Sequence, residues 1–425
     1  MKSAGWYSDL KASPNPTFES TKLELWIPYG ETEIPVKVPD DNFYRILEPA
    51  KQPGAKSPSA MIEEALDEPL GDLFLKDAVK PGSTVGIVID PIVPVDVRSE
   101  AVKVLRMRLA SLGIDNVRVF MRKRMSNVST AGEDLKIIDP AQASFAELGK
   151  TSTGTSVEID PDLASCEVKI NVGMVMPHFA SGFTGGPEAV LPGSSSIHSI
   201  TKNRSLLTKG FPASFSTPDN QVLSDSLEAV KLAGPIYSLC LLPDGVGGVT
   251  SAIAGELESV FREAVSRYYQ VHSPKIERKL DIVITSAGSL LGADLYHAIR
   301  VVSNVLGAVK REGTIILVAE CAKGIGDSNF LDYARRFPER KELSTELRYR
   351  FKLGAHVNLF LQEALEKCRI QLVSILPELF ARDTFGLKPS QTATEAVQKA
   401  IRVEGKESKI LIVPRGDFTV PIMES

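Results

Sequence analysis

The sequence predicts an α/β protein built from two α/β domains with largely parallel sheets. Three observations predict it. A chain of 425 residues exceeds what one ordinary hydrophobic core supports, so two domains are expected. Short apolar runs and helical patterns alternate in the order β–α–β at 84–90, 97–112 and 117–121, with further apolar runs at 166–176 and 235–242. That order produces a parallel sheet. A second series of the same kind opens at 280–286.

Taken in order, residues 1–20 are rich in Pro, Ser and Asn and read as a flexible arm. Residues 23–30 and 33–38 alternate apolar and polar side chains around Tyr29-Gly30, the pattern of a β-hairpin with an edge proline in each arm. A helix over 58–79 is interrupted by Pro69. The run 84–90 ends in Asp90, and a helix over 97–112 carries Val102, Leu105, Leu109 and Leu112 on one face. Gly113 closes it, and 117–121 is the next strand. A long amphipathic helix over 253–269 leads to an inter-domain joint at 272–275. The second domain then offers a helix over 292–310, a strand over 313–319, helices near 327–336 and 355–367, and strands at 370–375 and 409–413. The division expected is 21–272 and 276–425, with the last segment, 409–423, packing on either domain.

Composition narrows the partners. Hydrophobic content of 43% with 24% charged residues is that of a globular chain. A net charge of −4 argues against a nucleic-acid surface. No run approaches bilayer length, and the N-terminal residues lack a signal-peptide pattern, so neither membrane nor nucleic acid is expected and the cytoplasm is the expected compartment. Cys166, Cys240, Cys321 and Cys368 are scattered, without a C-x-x-C pair, which suits buried reduced thiols.

The stretch 176–193 carries the most chemistry. It leaves an apolar strand, places His178 and Glu188 in one loop, and holds Gly185, Gly186 and the pair Pro192-Gly193. Glycines permit close backbone approach to a phosphate or bulky cofactor, and they equally serve a tight strand-to-helix turn. In open parallel sheets ligands bind beyond the carboxyl ends of strands. Asp90, the cluster Arg122–Arg124 and His178 all follow such ends, so they can share one crevice. His297 and Arg300 lie three apart on one predicted helix and face the same way.

The same loop resembles the cofactor loop of LarA-type lactate racemases, through His178, Gly185-Gly186 and Pro192-Gly193. Further matches follow in order: Tyr29-Gly30, the stretch from Ser286 to Tyr296, Glu320-Cys321 with Gly324-Ile325-Gly326, Leu353-Gly354 with His356, and the closing strand. The resemblance implies a fold of two α/β domains with a ligand cleft between them. It also implies acid/base and hydride chemistry on a 2-hydroxy acid with a lysine-tethered nickel pincer nucleotide. Several positions depart from it. Glu188 stands where the tethering lysine is expected and Arg204 where a histidine binds nickel. Val93 replaces an arginine that holds the substrate carboxylate. Lys123 replaces a histidine base, with the neighbouring Arg124 kept. His297 and Arg300 replace a glutamine and a lysine.

An amine is required to form the tether, and a guanidinium is a permanent cation where a neutral nitrogen donor is needed. The cofactor is therefore left open, with no metal ligand assigned. Two readings follow. In the first, an isomerase uses His178 and Glu188 as acid and base on opposite faces of a small organic anion. Arg300, His297, Lys123, Arg124 and Arg204 hold that anion, and Gly185, Gly186, Pro192, Gly193 and Asp90 form the cofactor side. In the second, the crevice binds an anionic metabolite or nucleotide without racemase chemistry. Opposition of His178 and Glu188 across one cavity would distinguish them.

Overall fold

A computed structural model describes residues 22–50, 56–71, 73–123, 135–211 and 220–424. The expected arm over 1–20 and the candidate Arg124 lie outside the described residues. Two six-stranded sheets organise the chain. The first runs, in spatial order, Val249–Glu256, Ile236–Pro243, Val168–Met174, Val85–Ile89, Val117–Arg122 and Leu135–Ile138. Only Val249–Glu256 pairs antiparallel within it. The second sheet is parallel throughout: Lys388–Ser390, Arg369–Val373, Val309–Val318, Leu280–Ser286, Ile410–Val413 and Phe43–Ile46. All five residues of Val85–Ile89 are buried, as expected for a strand covered on both faces.

Helix Val95–Ser111 forms because Val97, Ala101, Val102, Leu105 and Leu109 recur at helical spacing and bury one stripe. The helix expected over 253–269 instead spans Leu257–His272. Its first expected residues, 253–256, finish the antiparallel strand. The Glu256 carboxylate then accepts from Glu258 N at 3.0 Å and Ser259 N at 2.8 Å, starting the helix there. The helix expected over 292–310 is likewise divided. A short turn Gly288–Gly292 precedes Leu295–Val305, which Asp294 caps, and Val309 already belongs to the next strand.

Segments from before the division at 272–276 also pack with the second sheet. Phe43–Ile46 completes the second sheet, and hairpin residues Ile27, Val36 and Val38 share a core with Ile282, Ile284, Ile316 and Val318. The central strands of the second sheet need an apolar cover, and the N-terminal segment supplies it. The closing segment serves both halves. Ile410–Val413 lies in the second sheet, Phe418 enters the first core, and Ile422–Met423 pairs with Lys275–Ile276. Tyr268 OH donates to Phe418 O, Val420 N donates to His272 O at 3.0 Å, and His272 Nε2 lies 3.0 Å from Pro243 O. No helix among the described residues is long and apolar enough to cross a membrane.

Burial pushes His272 down to about 4 and His356, in the first turn of helix Ala355–Lys367, down to about 3, the latter helped by Arg204. A histidine kept neutral by burial gains its proton more easily once unfolded. Its contribution is complete above the ordinary value of 6.5 and declines as pH falls from there toward the folded value. Chemical denaturation at pH 7 and pH 5 should therefore differ by roughly 2–4 kcal/mol, with lower stability at pH 5. Equal midpoints and slopes at the two pH values would show that neither ring is held neutral.

Candidate functional site

In the first sheet the chain leaves Val85–Ile89 for a neighbour on one side, Val117–Arg122, and returns to the other side with Val168–Met174. The carboxyl ends of Val85–Ile89 and Val168–Met174 thus flank a switch point, where parallel sheets leave a crevice. The second sheet has its own switch point between Leu280–Ser286 and Ile410–Val413. The loops beyond the first point and the segment that follows Leu280–Ser286 meet at a cavity of about 420 Å³. Asp90, Arg122, His178, Glu188 and Arg204 reach it from the first half, and Tyr296, His297, Arg300, Asp327 and His356 from the second.

His178 sits on a two-residue strand, Pro177–His178, paired back onto Gly182–Phe183. Its Nδ1 accepts from Ala180 N and Ser181 N, each at 3.2 Å, and lies 3.0 Å from Ser181 Oγ. Ser181 Oγ donates to Glu188 Oε1 at 2.6 Å, and Arg204 Nη2 donates to the same oxygen at 3.2 Å. Arg204 Nη1 also donates to Asn203 Oδ1 at 2.9 Å. The Arg204 and Glu188 side chains are only 6% and 14% exposed, so this is a buried ion pair. Glu188 therefore stands on the same loop as His178, joined through Ser181. It is not a second group facing His178 across the cavity, because Arg204 draws the carboxylate into the protein.

Desolvation first, then Arg300, Arg204, His356 and Arg122, hold His178 well below its ordinary value. The ring is neutral, and the potential around it is positive. Burial pushes the Tyr296 phenol up to about 12, with Asp327 adding to the shift and the arginines opposing it. Burial likewise raises Asp327, whose carboxylate accepts from Phe330 N at 2.8 Å. A Cβ on Gly354 would lie 2.2 Å from Asp327 Oδ1, so the glycine of Leu353-Gly354 makes room for that carboxylate. Phe179 stacks between the rings of His178 and His356, at 5.3 and 5.8 Å, and forms an apolar wall from both halves.

The loop glycines serve packing. Added Cβ atoms would come within 2.8 Å of the Met174 backbone at Gly185, 2.6 Å of the Phe261 ring at Gly186 and 2.3 Å of Glu188 O at Gly193. They fold the loop onto its own strand and onto helix Leu257–His272. With Pro192, Asp90, Arg122 and Asn171 they line a narrow extension of about 50 Å³, too small for a nucleotide. Of the remaining candidates, Arg300 and His297 line the cavity. Lys123 lies at its edge, 60% exposed and 2.7 Å from Asp139.

Sequence reasoning singled out Lys123 and Arg124 from the basic cluster, whereas Arg122 is the member among the described residues that lines both cavity and extension. It is the last residue of its strand, which was the available signal. Asp327 and Tyr296 carried no motif of their own, although Asp327 follows the matched Gly324-Ile325-Gly326.

The donor set does not fit a lysine-tethered nickel pincer. The tether position holds a carboxylate, the metal-ligand position holds a guanidinium, and the two neutralise each other.

Two family models match the chain: the lactate racemase N-terminal domain over residues 29–214 and the lactate racemase C-terminal domain over 276–420. Lactate racemases from Thermoanaerobacterium thermosaccharolyticum and Lactiplantibacillus plantarum are each 24% identical, over 92% of this chain and 97% of their own length. The lactate racemase apoprotein structure from the former superposes with a TM-score of 0.83 at 22% identity, covering 95% of this chain and all of that one. A solved protein from Thermotoga maritima follows at 0.65 and 15% identity, covering 88% of this chain and all of its own. The matched regions span most of the described residues of both halves, and the chain belongs to the lactate racemase family.

Proposed function

We propose that this protein binds a small organic anion, of the 2-hydroxy acid class or closely related, in the cavity between its halves and acts on it as a racemase- or epimerase-like enzyme without a lysine-tethered nickel pincer. The observation that carries the reading is the convergence of Arg122, Arg204 and Arg300, from both halves, on a neutral His178. With Nδ1 occupied by two backbone N–H donors, His178 carries its proton on Nε2 and offers a donor to an anionic oxygen. Arg300 brings a planar fork suited to a carboxylate. Arg204, already engaged with Glu188, contributes field more than contact. Because Glu188 does not oppose His178, the pair gives the isomerase class no support; family membership carries it, and a cavity of about 420 Å³ suits a small acid.

The alternative of a nucleotide ligand draws less support. Its expected phosphate cradle, Gly185, Gly186 and Gly193, is filled by the protein's own backbone and Phe261.

Calorimetry with L- and D-lactate, 2-hydroxybutyrate and AMP tests the reading. The hydroxy acids are expected to bind in preference to AMP, and Arg300→Gln should weaken them about 10- to 100-fold, as loss of a charged hydrogen bond implies. Tighter binding of AMP would reverse the assignment. Intact mass and nickel content after co-expression with the pincer-forming enzymes should show an unmodified chain without stoichiometric nickel. A mass increment carrying nickel would restore the tethered cofactor.

The buried pair gives a separate prediction. Glu188→Lys, which sets two cations together, should cost about 3–5 kcal/mol in denaturant unfolding, and adding Arg204→His should recover most of it. Additive losses in the double variant would mean that the two side chains do not interact.

A further inference from the structure

Two histidines line this cavity with opposite ring nitrogens committed to the protein. His178 uses Nδ1 as an acceptor, which leaves Nε2–H for a ligand. His297 does the reverse. Its Nδ1 lies 2.8 Å from each carboxylate oxygen of Asp294, so in the neutral ring the proton sits on Nδ1 and the lone pair on Nε2. No described residue hydrogen-bonds His297 Nε2, and the side chain lines the cavity.

Asp294 is fixed for this task. It caps helix Leu295–Val305 by accepting from His297 N at 2.9 Å, and its side chain is 10% exposed. A Cβ on Gly326 would lie 2.4 Å from Asp294 Oδ1, so that glycine exists to seat the carboxylate. Asp327, just before helix Ser328–Arg336, interacts electrostatically with His297, and Tyr296 and Arg300 line the cavity from the histidine's own helix. A carboxylate that orients an imidazole with its free nitrogen toward a ligand is the usual support of a general base.

We propose that His297, positioned by Asp294, is the proton acceptor of this cleft and that His178 is its neutral hydrogen-bond donor, acting on an organic acid with a carbonyl next to the C–H bond that breaks. The inference rests on the anion-binding reading above and moves its substrate class from the 2-hydroxy acids to the closely related 2-oxo acids. The proton passes from that carbon to His297 Nε2. The C–H electron pair forms the new C=C bond, and the carbonyl π pair moves to oxygen. The resulting enolate oxygen accepts from His178 Nε2–H while Arg300 holds the carboxylate. Return of the proton from the His297 imidazolium to the planar carbon regenerates the base, with no oxidant or reductant required. A base beside a separate neutral imidazole donor suits enolisation. A simple 2-hydroxy acid has no carbonyl oxygen beyond its ionised carboxylate to take the developing charge, so an oxo acid or its enol partner fits better.

The chain has five histidines, few enough for long-range 1H–15N correlation of histidine-labelled protein, assigned with His178→Gln and His297→Gln variants. His297 is expected as the Nδ1–H form and His178 as the Nε2–H form. Asp294→Asn, which still caps the helix, should remove the His297 preference. In D2O the wild type should exchange the C3 protons of 2-oxobutyrate faster than buffer. His297→Gln should lower that rate about 10²- to 10⁴-fold and Asp294→Asn at least about 10-fold, with 2-oxobutyrate affinity held within about 3-fold. His297 found as the Nε2–H form, unchanged exchange in His297→Gln, or 2-oxobutyrate that binds without exchanging would each overturn the proposal. Failure of 2-oxobutyrate to bind where the 2-hydroxy acids do would likewise overturn it, whereas failure of every one of these acids to bind would remove the anion-binding reading on which it stands.

Discussion

A guanidinium buried beside one carboxylate constrains everything around it. Arg204 cannot lose its proton at ordinary pH, so a chain that keeps it inside must also keep Glu188 there. Glu188 in turn aligns Ser181, and the tight turn that carries Ser181 delivers two backbone N–H groups to His178. The neutral histidine's tautomer is thereby fixed by its own loop. The same pair occupies the two positions that the family resemblance assigns to the tether and the nickel ligand, and there it aligns the loop that orients a donor.

The chain crosses between the two sheets after Phe43–Ile46 and again near residue 274, and the halves are joined by more than these crossings. The tail passes from the second sheet into the first core at Phe418 and returns to pair beside Lys275–Ile276. The buried Asp417, paired with Arg415 at 3.0–3.1 Å, lies against Gly288, where the second half begins to build its share of the cavity. Packing of the tail and placement of the site are therefore linked. Phe179, stacked between histidines of different halves, adds an apolar contact at the cavity itself.

Much of this was legible in the residues. Alternating apolar runs gave both parallel sheets, and His178 and Arg300 stood out because their spacing and neighbours formed motifs. Three things were not legible. Glycines at 185, 186 and 193 look the same in sequence whether they receive a phosphate or their own strand, and only the packed backbone decides. Glu188 and His178 are ten residues apart, and nothing in that spacing tells whether the loop opposes them or stacks them side by side. Asp294 reads as a helix cap, which it is; its second contact depends on a side-chain rotamer and on the space left by Gly326, thirty-two residues later. Antiparallel strand 249–256 was missed because its buried apolar residues continue smoothly into the helical period that follows.

The edge strand Phe43–Ile46 has a further consequence for how the chain is made. It is synthesised more than 360 residues before its neighbour in the sheet among the described residues, Ile410–Val413. The hairpin before it must likewise wait for Ile282 and Ile316 before its apolar face is covered. Contacts of such long sequence separation form slowly. The second sheet therefore cannot close before residue 413 has been made, and until then the chain carries an unpaired strand Phe43–Ile46.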